Sequence, residues 1–205
     1  MRDGPPSFHS DSRETPGPRE PSFKISTAHL LVILGFVTIG ILFAATLVAY
    51  VVTRNNVKIW HPDSSGLPPG LFVSTGLLVC VSLGMEHASN SIAHNRHESL
   101  LRGLYFGLAS AIAFLLVQAS NWFTVIHAQA LLPHPTLFAF TFYLLTGLHA
   151  AHVLGGFVPL GIVLHNASER EYSSSRFDGV RFCVWYWHYL GIIWLVLLTV
   201  MYLAD

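Results

Sequence analysis

The sequence predicts an all-α polytopic membrane protein of five transmembrane helices, with the N-terminus cytoplasmic and the C-terminus outside. Three observations predict it. Composition is the first: of 205 residues, 52% are hydrophobic and only 11% charged, with a mean hydropathy of +0.52, whereas a soluble domain carries about 25% charged residues to keep its surface wet. The second is distribution, because no Asp, Glu, Lys or Arg occurs in 25–53, 66–85, 103–168 or 182–204. The third is the placement of the cations between those stretches, taken up below. A water-soluble enzyme is excluded, and the formal net charge of zero offers no basic surface for nucleic acid.

The first segment, 1–24, is rich in Pro, Ser, Gly and charge, too polar to build a core, and reads as a disordered tail rather than a signal peptide. The membrane domain then runs from 25 to 205. A helix rises about 1.5 Å per residue and the hydrocarbon core is about 30 Å thick, so roughly 20 apolar residues cross it. Residues 25–53 make one span, 71–93 a second and 181–203 the last. The long quiet stretch holds two, about 102–124 and 137–165, because Pro133 and Pro135 remove amide donors between them.

Five spans put the N-terminus and the loops around Arg96 and Arg170 on one side. That side holds Arg2, Arg13, Arg19, Lys24, Arg96, Arg102, Arg170, Arg176 and Arg181, and the other only Arg54 and Lys58. The bias fixes the predicted orientation by the positive-inside rule. Tyr50, Trp60, Trp122, Trp185, Tyr186 and Trp187 fall near span ends, where amphipathic rings favour the headgroup level.

Polar residues inside the spans are the candidate functional positions. Gly147, Ala151 and Gly155 recur every four residues in the fourth span and, with Gly156, form a small-xxx-small packing stripe. His149 and His152 lie mid-membrane on the same helix, where an imidazole needs a partner; interhelical hydrogen bonding is the leading expectation. A haem needs two histidines at one depth, and His87 with His188 is the pair that matches. Glu86, Asn90 and His94 step by four along one face near the inner surface, where they read as a solvated helix end or as groups able to collect protons. His94, His97 and Glu98 converge with nothing else, so no metal site is expected there. Cys80 and Cys183 sit far apart in apolar spans and read as small buried side chains. Asn121 closes the third span on the outer side, where an Asn commonly caps the helix or binds a neighbouring backbone. No nucleophile–base pair or phosphate loop occurs, so no catalytic residue is assigned.

Three stretches together resemble subunit III of the haem–copper terminal oxidases, the cytochrome c oxidase polypeptide III family. The first runs from Leu67-Pro68-Pro69 through Ser74-Thr75 to Glu86-His87-Ala88, then through 97–103 to 115–119. The second is Thr146-Gly147-Leu148-His149 with His152 and Gly156, similar to the family's Thr-Gly-x-His-x-x-His-x-x-x-Gly signature. The third is Trp185-Tyr186-Trp187-His188-Tyr189 followed by Trp194 and Tyr202. The similarity covers about 27–203 and resembles the short bacterial form that lacks the first two helices.

The resemblance implies a non-catalytic accessory subunit of an aa3-type, proton-pumping cytochrome c oxidase, which reduces O2 to water in aerobic respiration. It implies no cofactor on this chain, haem and copper in partner subunits I and II, possible small subunits, and phospholipid bound between the helices. The expected location is a bacterial plasma membrane, and the expected contribution is to assembly, lipid binding and stable proton uptake. Within that reading His149, His152 and His188 are buried hydrogen-bonding positions, with Glu86 and His87 as further intramembrane polar groups. Arg96, Arg102, Arg170, Arg176, Trp185 and Trp187 are candidate headgroup contacts. Three departures weaken proton handling: no Glu lies around Val37–Gly40, Asn121 stands where the family has Glu, and Leu190-Gly191 stands where it has Val-Asp. The alternatives are a related subunit of a ubiquinol oxidase or nitric oxide reductase, or a stand-alone b-type cytochrome using His87 and His188.

Overall fold

A computed structural model describes residues 27–57, 67–130 and 136–204. The tail 1–24, Lys58, Trp60 and the Pro133–Pro135 break lie outside the described residues. Five helices account for nearly all of what is described: α1 (Thr27–Asn56), α2 (Gly70–Ala93), α3 (His97–Ala130), α4 (Leu137–Ser168) and α5 (Asp178–Ala204). Each is long and apolar enough to cross a membrane.

The helix ends follow from local chemistry. Before α4, Thr136 is extended and its hydroxyl accepts from the Ala139 amide at 3.2 Å, an N-cap that satisfies one orphan donor. α2 and α4 both stop on a left-handed residue, Asn95 (φ 56°) and Arg170 (φ 57°). Each turn closes backward, with Arg96 N on Ser91 O at 2.9 Å and Glu171 N on Asn166 O at 3.0 Å. Asn tolerates that conformation better than most residues, and its side chain is used twice more. Asn95 donates to Ser174 Oγ (3.1 Å) and accepts from Ser174 N (2.8 Å), pinning the α2–α3 turn to the α4–α5 loop. At the opposite end Arg54 Nε donates to Ala204 O at 2.7 Å, joining the last turns of α1 and α5.

The helices outrun the charge-free stretches. α3 begins at His97 rather than near 102, because Glu98 and Arg102 lie beyond the apolar core yet pair at i,i+4 in the open (3.8 Å). α5 begins at Asp178, whose carboxylate suits a helix N-terminus.

Packing is uneven. Among the described residues α2 and α3 form the tightest pair, α5 touches α1, α2 and α4, and α1 touches only α4 and α5. Lipid gives helices no hydrophobic reason to associate, so contact depends on close fit and interhelical hydrogen bonds. The α2–α3 fit is made by glycines. A Cβ on Gly84 would lie 3.0 Å from Gly103 O and Gly107 N, and one on Gly103 would lie 2.8 Å from Ala88 N and Gly84 O. The stripe expected on α4 has another fate: Ala151 and Gly155 are exposed. Gly156 is the close-approach position, its missing Cβ lying 2.8 Å from the Tyr186 ring and 3.1 Å from Trp187. Outside this core, large apolar side chains such as Leu116, Val158 and Leu203 point outward, as a lipid-solvated surface requires.

Candidate functional site: the intramembrane polar network

α5 carries five consecutive polar or aromatic residues, and a helix turns about 100° per residue, so neighbours in sequence face different elements. Trp185 points outward, 43% exposed, with the Arg181 guanidinium 5.4 Å over its ring. The Tyr186 hydroxyl donates to His152 O on α4 at 2.8 Å. Trp187 packs into the core against Phe157 (6.0 Å) and is 1% exposed. The expected headgroup contact of Trp187 is therefore corrected: the indole is a core filler one step away from the exposed face. His188 Nε2 faces Glu86 Oε2 on α2 at 3.4 Å. The Tyr189 hydroxyl donates to Phe36 O on α1 at 2.6 Å, with the two rings stacked at 4.8 Å. One turn of α5 thus fastens α1, α2 and α4.

A second layer uses indoles as donors. Trp194 Nε1 donates to Thr75 Oγ1 on α2 at 3.0 Å, and Trp122 Nε1 on α3 donates to Thr146 Oγ1 on α4 at 2.9 Å. Tyr143 Oη adds a bond to Trp122 O at 2.9 Å. Such bonds average about 0.6 kcal/mol each within a membrane. Their number, not the strength of any one, holds the bundle. Deeper between α2 and α3, Ser74 Oγ donates to Gln118 Oε1 (3.4 Å) and Asn121 Nδ2 donates to Ser74 Oγ (3.5 Å). Asn121 also closes on Gly70, whose missing Cβ would collide with its amide. Asn121 therefore joins two helices rather than capping its own.

His149 is fully buried and has no hydrogen-bond partner at either ring nitrogen among the described residues. The interhelical bond expected of it is replaced by ring packing. Trp194 lies 5.0 Å away, Phe114 5.7 Å and Phe43 6.1 Å, so α3, α5 and α1 each contribute a face. His152 is half-buried; its Nδ1 lies 2.8 Å from Leu148 O on its own helix, and its ring lies 5.2 Å from Phe43.

Toward the end formed by the 94–96 turn, the polar groups form a ladder. Asn90 Nδ2 donates to Glu86 Oε1 at 3.3 Å, and His94 Nδ1 lies 2.9 Å from Asn90 O. His87 turns the other way, with Nε2 3.0 Å from Ser99 Oγ on α3. His87 and His188 address different neighbours rather than one common gap, the opposite of what a bis-histidine haem needs. Among the described residues no three His, Cys, Asp or Glu side chains gather as a metal-ligand group. Arg96, Arg102, Arg170 and Arg176 are all exposed at the same end as this ladder.

Sequence reasoning missed three features. The Gly84–Gly103–Gly107 contact did leave a signal, since Gly103, Gly107 and Ala111 recur every four residues on α3 and Gly84 and Ala88 are four apart on α2, the same small-xxx-small spacing read on α4. The Trp194–Thr75 bond and the α5 fan depend on how the helices are rotated, which only a helical wheel drawn against known neighbours could have suggested.

Comparison with known proteins completes the picture. The sequence profile of the family described as cytochrome c oxidase subunit III matches residues 27–205. The cytochrome c oxidase subunit 3 of Synechocystis sp. is 28% identical over 177 residues, covering 84% of this chain and 73% of the relative. That of Thermostichus vulcanus is 26% identical over 189 residues, covering 90% of this chain and 89% of the relative. The Drosophila melanogaster protein is 27% identical over 130 residues, 63% of this chain but only 48% of its own length, so the match spans about half of that longer relative. With the profile match extending over all five helices, the chain belongs to the cytochrome c oxidase subunit III family.

Proposed function

We propose that this chain is the accessory subunit III of an aa3-type haem–copper cytochrome c oxidase of a bacterial plasma membrane. Haem and copper are held by partner subunits I and II, and this chain steadies the complex without a redox centre of its own. The family match over 27–205 carries the reading. The geometry agrees with it, since Tyr186, Tyr189, Trp122 and Trp194 all use their polar atoms to join helices.

The exposed Arg96, Arg102, Arg170 and Arg176 at one end support a cytoplasmic placement of the 94–96 and 169–177 loops and contacts with anionic headgroups. A groove of about 470 Å³ between α1, α4 and α5 supports bound phospholipid. Its walls are apolar at Val32, Ile39 and Ile162, and Asn166 and Tyr172 give it a polar mouth at that same end. Removing this subunit is expected to shorten the working life of the oxidase rather than abolish O2 reduction.

The test is co-purification of the tagged chain in mild detergent, with partners identified and the optical spectrum recorded. The proposal requires a haem-bearing catalytic subunit to accompany it and the chain alone to be colourless. Haem retained by the isolated polypeptide, or recovery without any oxidase subunit, would overturn it. A quinol-oxidising or nitric-oxide-reducing partner would redirect it within the same superfamily.

A further inference from the structure

α1 and α2 both pack against α5, yet among the described residues no Cα of one lies within 8 Å of the other. The outer face of α5 is therefore the floor of a trough walled by two helices. The wheel of α5 agrees: Tyr189 faces α1, His188 faces α2, and Trp185, Ile192 and Val196 lie between those directions and are exposed. Grooves of about 370 and 380 Å³ run along the two sides of that floor. Gly40 and Gly191 keep them open, and a Cβ at Gly40 would meet the Tyr189 hydroxyl at 2.6 Å.

The trough is not uniformly apolar. The Glu86–His188 pair borders it with side chains 54% and 37% exposed. Glu86 lies seven residues before the end of α2 at Ala93, about 10 Å along the helix axis. Its two hydrogen bonds among the described residues, 3.4 Å to His188 and 3.3 Å to Asn90, are long and leave lone pairs unused. A carboxylate exposed at that depth is costly against acyl chains and is normally met by a protein donor.

We propose that this trough seats a transmembrane helix of the oxidase's catalytic subunit, which brings a hydroxyl, amide or cationic donor to the level of Glu86. The assignment rests on the accessory-subunit reading above and adds to it the face that docks. Small residues along both grooves let the partner backbone approach, and the Glu86–His188 pair fixes its register.

A photo-crosslinking amino acid placed at Ile192 or Val196, in the assembled complex, tests the docking face. Equivalent placements at Leu116 on α3 and Val158 on α4 serve as controls; both are exposed and lie on helices that line neither groove. The expected result is at least ten-fold more adduct with the catalytic subunit from 192 and 196 than from 116 and 158. Adducts with the catalytic subunit from the control positions overturn the assignment, as do lipid or second-copy adducts from the trough. If the unmodified chain recovers no oxidase subunit at all, the function reading fails instead, so the two failures are distinct. Glu86→Leu reads the polar contact separately: the proposal expects at least a ten-fold loss of co-purified catalytic subunit, with Glu86→Gln retaining most of it. Undiminished recovery with Glu86→Leu would show that acyl chains, not a donor, meet this position.

Discussion

Adding one methyl group to Gly103 should separate the forces holding α2 to α3. In a helix interior, alanine in place of glycine gains about 0.5–1 kcal/mol of intrinsic propensity. At Gly103 the new Cβ would lie 2.8 Å from Ala88 N and from Gly84 O, and 3.0 Å from Ala88 Cα. All three are backbone atoms of the facing helix, so relief requires moving α2 by roughly half an ångström. Such overpacking costs about 1–3 kcal/mol, with further loss of close backbone contacts of about 0.5–1 kcal/mol each. The net expectation for Gly103→Ala is about 1–2 kcal/mol of destabilisation. Gly76 supplies the control, because a Cβ there meets nothing within 4 Å, so Gly76→Ala should gain the propensity term alone. The two variants should differ by about 2–3 kcal/mol, a 30- to 150-fold difference in the folded-to-unfolded ratio. Reversible denaturation of the detergent-solubilised chain in SDS, followed by tryptophan fluorescence, measures both. If Gly103→Ala proves as stable as Gly76→Ala, the close α2–α3 contact does not bear on stability and the reasoning fails.

Tyr189→Phe keeps the stack on Phe36 but removes the bond to Phe36 O; amide exchange along α1 should quicken about three-fold, from a loss of about 0.6 kcal/mol, and unchanged exchange would remove Tyr189 as the tether. Trp194→Phe and Thr75→Val each break the same 3.0 Å bond, so each should lose about 0.6 kcal/mol from it, and the double variant should cost less than the sum; strict additivity in denaturation midpoints would deny the coupling. His149→Phe should leave stability unchanged or raised, since neither imidazole nitrogen has a partner among the described residues, whereas His149→Ala should lose about 2–5 kcal/mol by opening a cavity among Phe43, Phe114 and Trp194. Equal losses for the two would mean that the ring makes a polar contact worth as much as its packing.

The candidate site was partly legible. His149, His152 and His188 stand out in sequence because a polar side chain in a charge-free stretch is conspicuous against its neighbours, and Glu86 because it falls within the 71–93 span. Which partner each one finds was not legible. His188 and Glu86 meet across α5 and α2 although 102 positions separate them. His149 and Trp194 meet as rings rather than as donor and acceptor. Trp187 shows the limit most clearly, because its position near a span end suggested a headgroup anchor while one step of rotation on α5 sends it inward.

By itself the sequence determined that the chain crosses the membrane and how many times. Hydrocarbon tolerates neither charges nor unpaired backbone, so each crossing must be written as an uninterrupted apolar helix and each turn as prolines or polar residues. Only the tertiary structure decided how those helices are rotated and which pairs touch. In water, a hydrophobic stripe marks the buried face of a helix; in lipid, both faces of α2 to α5 are apolar and the pattern carries no direction. The choice falls to fit between small residues, as at Gly84, Gly103 and Gly156, and to single hydroxyls, carbonyls and indoles reaching a neighbour.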